Sequence, residues 1–190
     1  MSHQYLILFA VAGVILWVFV FAGIWASRYA KVGPNQVLIV SGRKYQLPDG
    51  MSVGFRIVKG GGTFVFPVIE KLDVLSLEVL TIEVPKCKVP TAKGAPAVVD
   101  CIAQVKIRGD DVSIYAAIEH FLSKKEEEIK QIVWLVLEKH LRSVCGNLSV
   151  EEIGQSLAAC AAKVEAAAST DLGNMGVGIV SFTIRDVRGG

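Results

Sequence analysis

Hydrophobic and polar positions follow three rhythms along this chain. The first is no rhythm at all: Tyr5 to Ala26, "YLILFAVAGVILWVFVFAGIWA", is 22 residues without a charged side chain. As a helix it would run roughly 33 Å at 1.5 Å per residue, enough for a hydrocarbon core of about 30 Å. Tyr5 and Trp25 fall near its two ends, where amphipathic rings favour the membrane–water interface. A cleaved leader fits poorly, because "MSHQ" has no basic residue and no clean A-x-A site follows. The expectation is a tail over 1–4 and a transmembrane helix over 5–26. Gly13 and Gly23 leave a shallow hairpin as the alternative to a full crossing.

The second rhythm has period two. "VLIVSG" reads as a short strand ended by Gly42, and "RKYQLPDGMSVG" as a turn-rich excursion with Pro48-Asp49-Gly50 at its tip. "FRIV" predicts another strand, closed by Gly60-Gly61-Gly62. From Asp73 to Val84 the phase switches: Leu75, Leu77 and Val79 share one face, but Leu80, Ile82 and Val84 share the other. Such a switch predicts a bulge, or a strand leaving one packing environment for another. Ala97–Ile107 keeps phase, with Ala97, Val99, Cys101, Ala103, Val105 and Ile107 on one face and Asp100, Gln104 and Lys106 on the other. Val177–Val187 closes the chain, setting Val180, Phe182 and Ile184 against Ser181, Thr183 and Arg185.

Between these strands the period becomes helical. Asp110-Asp111 predicts the cap of a short helix reaching Leu122. Ser123–Glu126 (S-K-K-E) reads as a capping box opening a longer helix that Gly146 ends. Its apolar stripe is Ile129, Val133, Val136, Leu137, His140 and Val144, with Glu126–Lys130 and Glu138–Arg142 as supporting i,i+4 pairs. Ser149–Glu152 (S-V-E-E) reads as a second capping box, opening one helix to about Leu172. That stripe is Val150, Ile153, Leu157, Ala161, Val164 and Ala168, and "LGNMG" supplies a glycine–asparagine C-cap. Strands, then helices, then a closing strand predict a mixed α/β layer domain.

Composition changes this picture in two places. Lys plus Arg number 20 against 18 Asp plus Glu, a formal charge of +2 with no basic stripe, which argues against nucleic acid as a partner. Arg28, Lys31, Arg43 and Lys44 all follow the apolar run and none precedes it, so the N-terminus is expected outside and the rest in the cytoplasm. Cys87, Cys101, Cys145 and Cys160 have no close spacing and no C-x-x-C, as reduced thiols would.

Candidate chemistry is sparse. A phosphate loop needs a helix after its glycines and usually G-K-[ST]. Here Thr63-Phe64-Val65-Phe66-Pro67 follows, and Lys59 precedes, so the triple glycine reads as a turn with positive φ at Gly61 or Gly62 and no ligand. His3 lies in the tail, His120 and His140 fall on separate helices, and His140 on an apolar stripe reads as a satisfied core histidine. No His or Cys spacing suggests a metal. Cys101 and Cys160 read as small hydrophobes. Asp110/Asp111 and Glu126–Glu128 sit at helix starts, where acids complement the dipole. Leu135, beside Trp134 among Gln131, Glu138, Lys139 and Arg142, is either a scattered apolar residue or part of a self-association surface. Arg43, Lys44, Arg56 and Lys59 are either solvated turn residues or contacts to lipid headgroups.

Five stretches, "KVGPNQVLIVSGRK", "GFRIVKGGGTFVFPVIEKLDVLSLEVLTIEV", "CIAQVKIRGDD", "LSVEEI" and "DLGNMGVGIVSFTIRDV", closely resemble the bacterial flotillins. These belong to the SPFH/band 7 superfamily, with stomatins and prohibitins. The resemblance covers roughly Arg28–Arg188, and it implies an SPFH/band 7 domain over 27–188: a curved, mostly antiparallel sheet with helices packed on it. It further implies a membrane-anchored scaffold that self-assembles through lateral domain contacts and organises ordered lipid microdomains. Membrane lipids, further copies of the chain and membrane-protein clients would be its partners. No catalytic residue, cofactor, metal or small-molecule substrate is implied. A regulatory partner of a membrane protease is the alternative, as for other band 7 proteins. Flotillins continue into an Ala/Glu-rich coiled coil that is absent before Gly190, so the expectation is either a piece of a longer chain or a short member.

Overall fold

The uncharged run is helical in the computed structural model. This describes the backbone of residues 2–27, 29–46, 52–66, 69–92, 94 and 96–189, and their side chains except at 2–10, 24–26, 43–46, 52–53 and 85–86. Helix α1 (Ser2–Ala26, 25 residues) takes in the positions expected as a tail. Its described side chains, 11–23, are all exposed, with Trp17 stacked on Phe21 one turn later at 5.5 Å. Counting only residues whose side chains are described, which in α1 are 11–23, no helix is long and apolar enough to cross a membrane. The chain divides into two units, Met1–Val74 and Leu75–Gly190.

The first unit holds α1 and short strands. Strand β1 (Tyr29–Lys31) pairs antiparallel with β4 (Gly62–Phe64). Strands β2 (Gln36–Gln46), β3 (Ser52–Val58) and β5 (Lys71–Ser76) form a separate sheet, ordered β3-β2-β5. Val37 to Val40 are all buried, which is why this run reads as continuously apolar rather than alternating. Gly42 does not end the strand, as the sequence suggested. It takes φ +124° inside β2, where the pairing with β3 slips between Ser41 and Tyr45. A side chain there would collide with the Ile69 carbonyl, so the glycine admits a close backbone approach. The expected Pro48-Asp49-Gly50 tip lies outside the described residues.

The phase switch, between Val79 and Leu80, falls where one strand has ended and the next begins. Strand β5 stops at Ser76, Glu78 donates its N–H to Ser76 Oγ at 3.2 Å, and β6 (Leu80–Val89) starts afresh. Of the two readings offered by the switch, the change of packing environment is the one found, taken by two strands in two sheets rather than by one continuous strand.

In the second unit β6, β7 (Ala97–Ile107) and β8 (Val177–Gly189) form an antiparallel sheet in that order. Every inward position of β7 expected from its alternation is buried. Each buried Val or Ile stabilises by about 1.5–3 kcal/mol. The pairing slips at three places. On β6, Pro85-Lys86 stands between the pairs Val84–Cys101 and Cys87–Val99. On β8 the extra residues are Val180 and Arg185. The first of these turns Val180 outward, 46% exposed, although the sequence pattern placed it with buried Phe182 and Ile184.

Four helices follow β7. Helix α2 (Asp111–Phe121) starts as predicted, Asp110 Oδ2 accepting from the Ser113 N–H at 2.9 Å. Helix α3 (Glu126–Cys145) does not open on a capping box. Ser123 takes φ +64° to reverse the chain after α2, which removes it from the extended geometry of a cap, and Lys125 occupies that place without a side-chain bond. Its buried stripe is Ile129, Val133, Leu137, Leu141 and Cys145, so Val136, His140 and Val144 lie at its margin. Both i,i+4 ion pairs form, each at 2.6 Å.

The S-V-E-E box is made in both directions, Ser149 N–H to Glu152 Oε2 at 2.7 Å and Glu152 N–H to Ser149 Oγ at 3.3 Å. The helix it opens is interrupted. Helix α4 (Val150–Gln155) ends at Ser156, φ −139° and ψ 51°, and α5 (Leu157–Asn174) begins beyond it. Gly176, φ +76°, then turns the chain into β8. Among the described residues the strands pair in three sheets where one curved sheet was expected, with every described register antiparallel.

Candidate functional site

The triple glycine is a turn. Gly61 takes φ +77°, and its carbonyl accepts the Val32 N–H at 3.0 Å. Gly62 lies in β4 opposite Lys31, and any side chain on it would strike the Tyr29 ring. No helix follows, so the amides are not gathered for an anion.

What the turn positions is an apolar cluster. Tyr29 meets Phe64 edge to face, 5.2 Å between centroids. Beyond Phe64 the chain turns back on itself, the Phe66 carbonyl accepting the N–H groups of Ile69 and Glu70 at 2.9 and 2.7 Å. Glu70 is 6% exposed, and its Oε2 accepts the Phe66 N–H at 3.1 Å. Arg56 Nη2 donates to the Phe64 carbonyl at 2.8 Å and lies 3.8 Å from Glu70 Oε2. Arg56, weighed in the sequence as a headgroup contact, is therefore an internal brace. Lys59 is exposed, and the side chains of Arg43 and Lys44 lie outside those described. The braced turn leaves Tyr29, Phe64, Phe66 and Ile69 between 43% and 54% exposed. Exposed aromatic side chains in contact, as Tyr29 and Phe64 are, mark an interaction site more strongly than single exposed residues do.

The second unit contains a feature that sequence spacing concealed. All four cysteines are buried with free thiols. Each comes from a different element, β6, β7, α3 and α5, yet Cys145 lies within electrostatic reach of the other three. Interaction with Cys160 raises the Cys145 thiol, and the same interaction lowers that of Cys160. Burial pushes Cys101 up to about 12, reinforced by Cys87, and burial also raises Cys87. Among the described residues no group of His, Cys, Asp or Glu could hold a metal ion.

The remaining sequence candidates stay apart. His140 Nε2 lies 2.9 Å from Asp171 Oδ2, and Lys139 Nζ reaches the same oxygen at 3.0 Å. Lys139 first, then His140, holds the Asp171 carboxyl below its usual range. His120 is exposed, its ring 6.2 Å from that of Phe121, and the His3 side chain lies outside those described. Leu135 is 63% exposed with Trp134 half-buried beside it. A shallow groove of about 330 Å³ between α5 and β8 is lined by small and apolar residues, with Glu165 its one carboxylate.

The family model described as "SPFH domain / Band 7 family" matches residues 30–189. The chain is 38% identical over 170 residues to "Flotillin-like protein FloT" of Bacillus subtilis, which covers 87% of this chain and 33% of that protein. It is 39% identical over 161 residues to "Flotillin-1" of Drosophila melanogaster, 84% of this chain and 36% of the relative. Against "Flotillin-2a" of Danio rerio the identity is 40% over 156 residues, 82% and 35%. The chain spans about a third of the length of these relatives.

Proposed function

Since the chain belongs to the SPFH domain / Band 7 family, with flotillins among its relatives, we propose that it is a membrane-anchored scaffold of flotillin type. In this reading α1 spans the bilayer with its N-terminus outside. The body of the chain lies at the cytoplasmic leaflet, and lateral contacts between copies gather ordered lipid. No chemical step is assigned to it.

One observation carries the reading. The 25-residue uncharged helix delivers the chain, three residues beyond its end, to Tyr29 of the exposed cluster with Phe64, Phe66 and Ile69. A helix of that length runs roughly 37 Å, longer than a hydrocarbon core of about 30 Å. Aromatic rings just beyond such a helix fall at headgroup depth, where their apolar bodies leave water and their polar edges stay wet. The absent basic residue on the N-terminal side supports the orientation.

Washing membranes that carry the full chain with alkaline carbonate, then with high salt, tests the anchor. Retention in the pellet is expected, and release into the supernatant would refute a spanning helix. Labelling an N-terminal tag from outside intact cells tests the orientation, and a tag protected until lysis would reverse it.

A further inference from the structure

Helix α3 packs on α5 and β6, and its Val133 and Leu137 are fully buried. Leu135, midway between them, points the opposite way and is 63% exposed. Seven residues to either side, two turns away along the same row, stand Glu128 and Arg142, both exposed. Glu128 enters no ion pair among the described residues, whereas Arg142 Nη2 donates to Glu138 Oε1 at 2.6 Å. One carboxylate occupies only part of a guanidinium, which carries five N–H donors.

We propose that this face of α3 pairs with the same face of a second copy, the two helices running antiparallel across a two-fold axis at Leu135. The proposal names a contact for the scaffold reading, and it rests on that reading for the density at which copies meet.

Charge selects the antiparallel arrangement. Reversing one helix about Leu135 brings Glu128 of each copy to Arg142 of the other, so one symmetric contact makes the same ion pair twice. Parallel helices would instead set Glu128 against Glu128 and Arg142 against Arg142. The flanking positions agree. Gln131 falls beside Glu138 of the second copy, an amide donor beside a carboxylate. Half-buried Ile132 falls beside the aliphatic stem of Lys139 on the other side of the row. Leu135 meets its own copy at the centre, where water is excluded most fully. One helix against one helix lies at the small end of specific interfaces, below about 1,200 Å² in total, so the pair is weak in dilute solution. Anchored copies meet at a high effective concentration, which populates a weak contact.

Sedimentation velocity of the full chain in detergent, up to its highest soluble concentration, tests this. A dimer that grows with concentration is expected, and Leu135→Glu should abolish it. Glu128→Arg and Arg142→Glu should each weaken it about tenfold or more, because each sets like charges together twice. An equimolar mixture of those two variants should recover the dimer, since every mixed pair again joins opposite charges. Far-ultraviolet circular dichroism should be unaltered in all three variants, whose changed side chains are exposed. A chain monomeric throughout would overturn the proposal. So would a dimer indifferent to Leu135→Glu, or charge variants that the mixture fails to rescue. All three variants should stay in the carbonate-washed pellet, so loss of pairing with retention there bears on this contact and leaves the anchor standing.

Discussion

Gly176 offers the most decisive test of the packing in the second unit. It sits at the end of α5 with φ +76°, and its carbonyl accepts the Arg108 N–H at 3.0 Å. A Cβ built there would run into the Ser113 carbonyl, with the Ala117 amide nitrogen only 2.9 Å away. Gly176→Ala therefore meets two separate costs. Left-handed backbone costs an L residue roughly 1–2 kcal/mol, and forcing a methyl into packed backbone costs roughly 1–3 kcal/mol. The stiffer unfolded chain returns about 0.4–1 kcal/mol. The net expectation is a loss of about 3 kcal/mol, read from urea unfolding followed by far-ultraviolet circular dichroism. Gly94 isolates the first cost, because it has φ +77° in the same unit with nothing within 4 Å of a built Cβ. Gly94→Ala should lose about 1 kcal/mol. Equal losses at positions 94 and 176 would refute the close approach of the α5 turn to α2.

Four further outcomes follow from local geometry. Ser149→Ala removes the side-chain half of the capping box, the Oγ that accepts the Glu152 N–H, and should cost about 1 kcal/mol, whereas Ser123→Gly relieves a left-handed serine and should not destabilise; urea midpoints decide both. Asp110 is held below the usual carboxylate range, first by the Ser113 N–H. A lowered carboxylate stabilises the fold above its unfolded pKa and loses that contribution as pH falls through the folded one. Asp110→Asn should therefore flatten the decline in thermal stability below about pH 4, and an unchanged acid limb would show the cap to be inert. Phe66→Cys carrying a polarity-sensitive dye should shift to the blue in anionic vesicles relative to detergent-free buffer. Emission typical of water would remove the exposed cluster from the membrane reading.

Much of the second unit is legible in the sequence because its elements obey one local rule each. Strand β7 has a single period-two register with one face covered, so burial follows alternation at every position. Asp110 and Ser149 are caps whose partners lie three residues ahead, within reach of a local pattern. Where two demands compete at one residue, the pattern misleads. Ser123 matches a capping box, but the reversal after α2 requires left-handed backbone there, and chain reversal wins. Ser156 divides a continuous stripe because Ile153 and Cys160 are both buried across a break in the backbone that period 3.6 cannot represent. Arg56 reads as surface charge, and only the return of the chain at Glu70 turns it inward. The cysteine cluster was half visible: Cys101 on an inward strand face and Cys160 at a stripe edge both indicate the core. That they share one part of it depends on contacts between distant elements, which no spacing encodes.

The slipped pairings of the β6-β7-β8 sheet bear on what its outer strands can join. Strands β6 and β8 are its two outer strands, and both are irregular, one at Pro85-Lys86 and the other at Val180 and Arg185. A regular outer strand is a template onto which another chain adds backbone to backbone, without limit. Proline withholds a donor, and each extra residue bends the ladder away from a straight addition. Under the proposed scaffold reading, neighbouring copies would then meet through side chains, whose shapes can select a geometry and close an assembly, rather than through a ladder that grows into fibres.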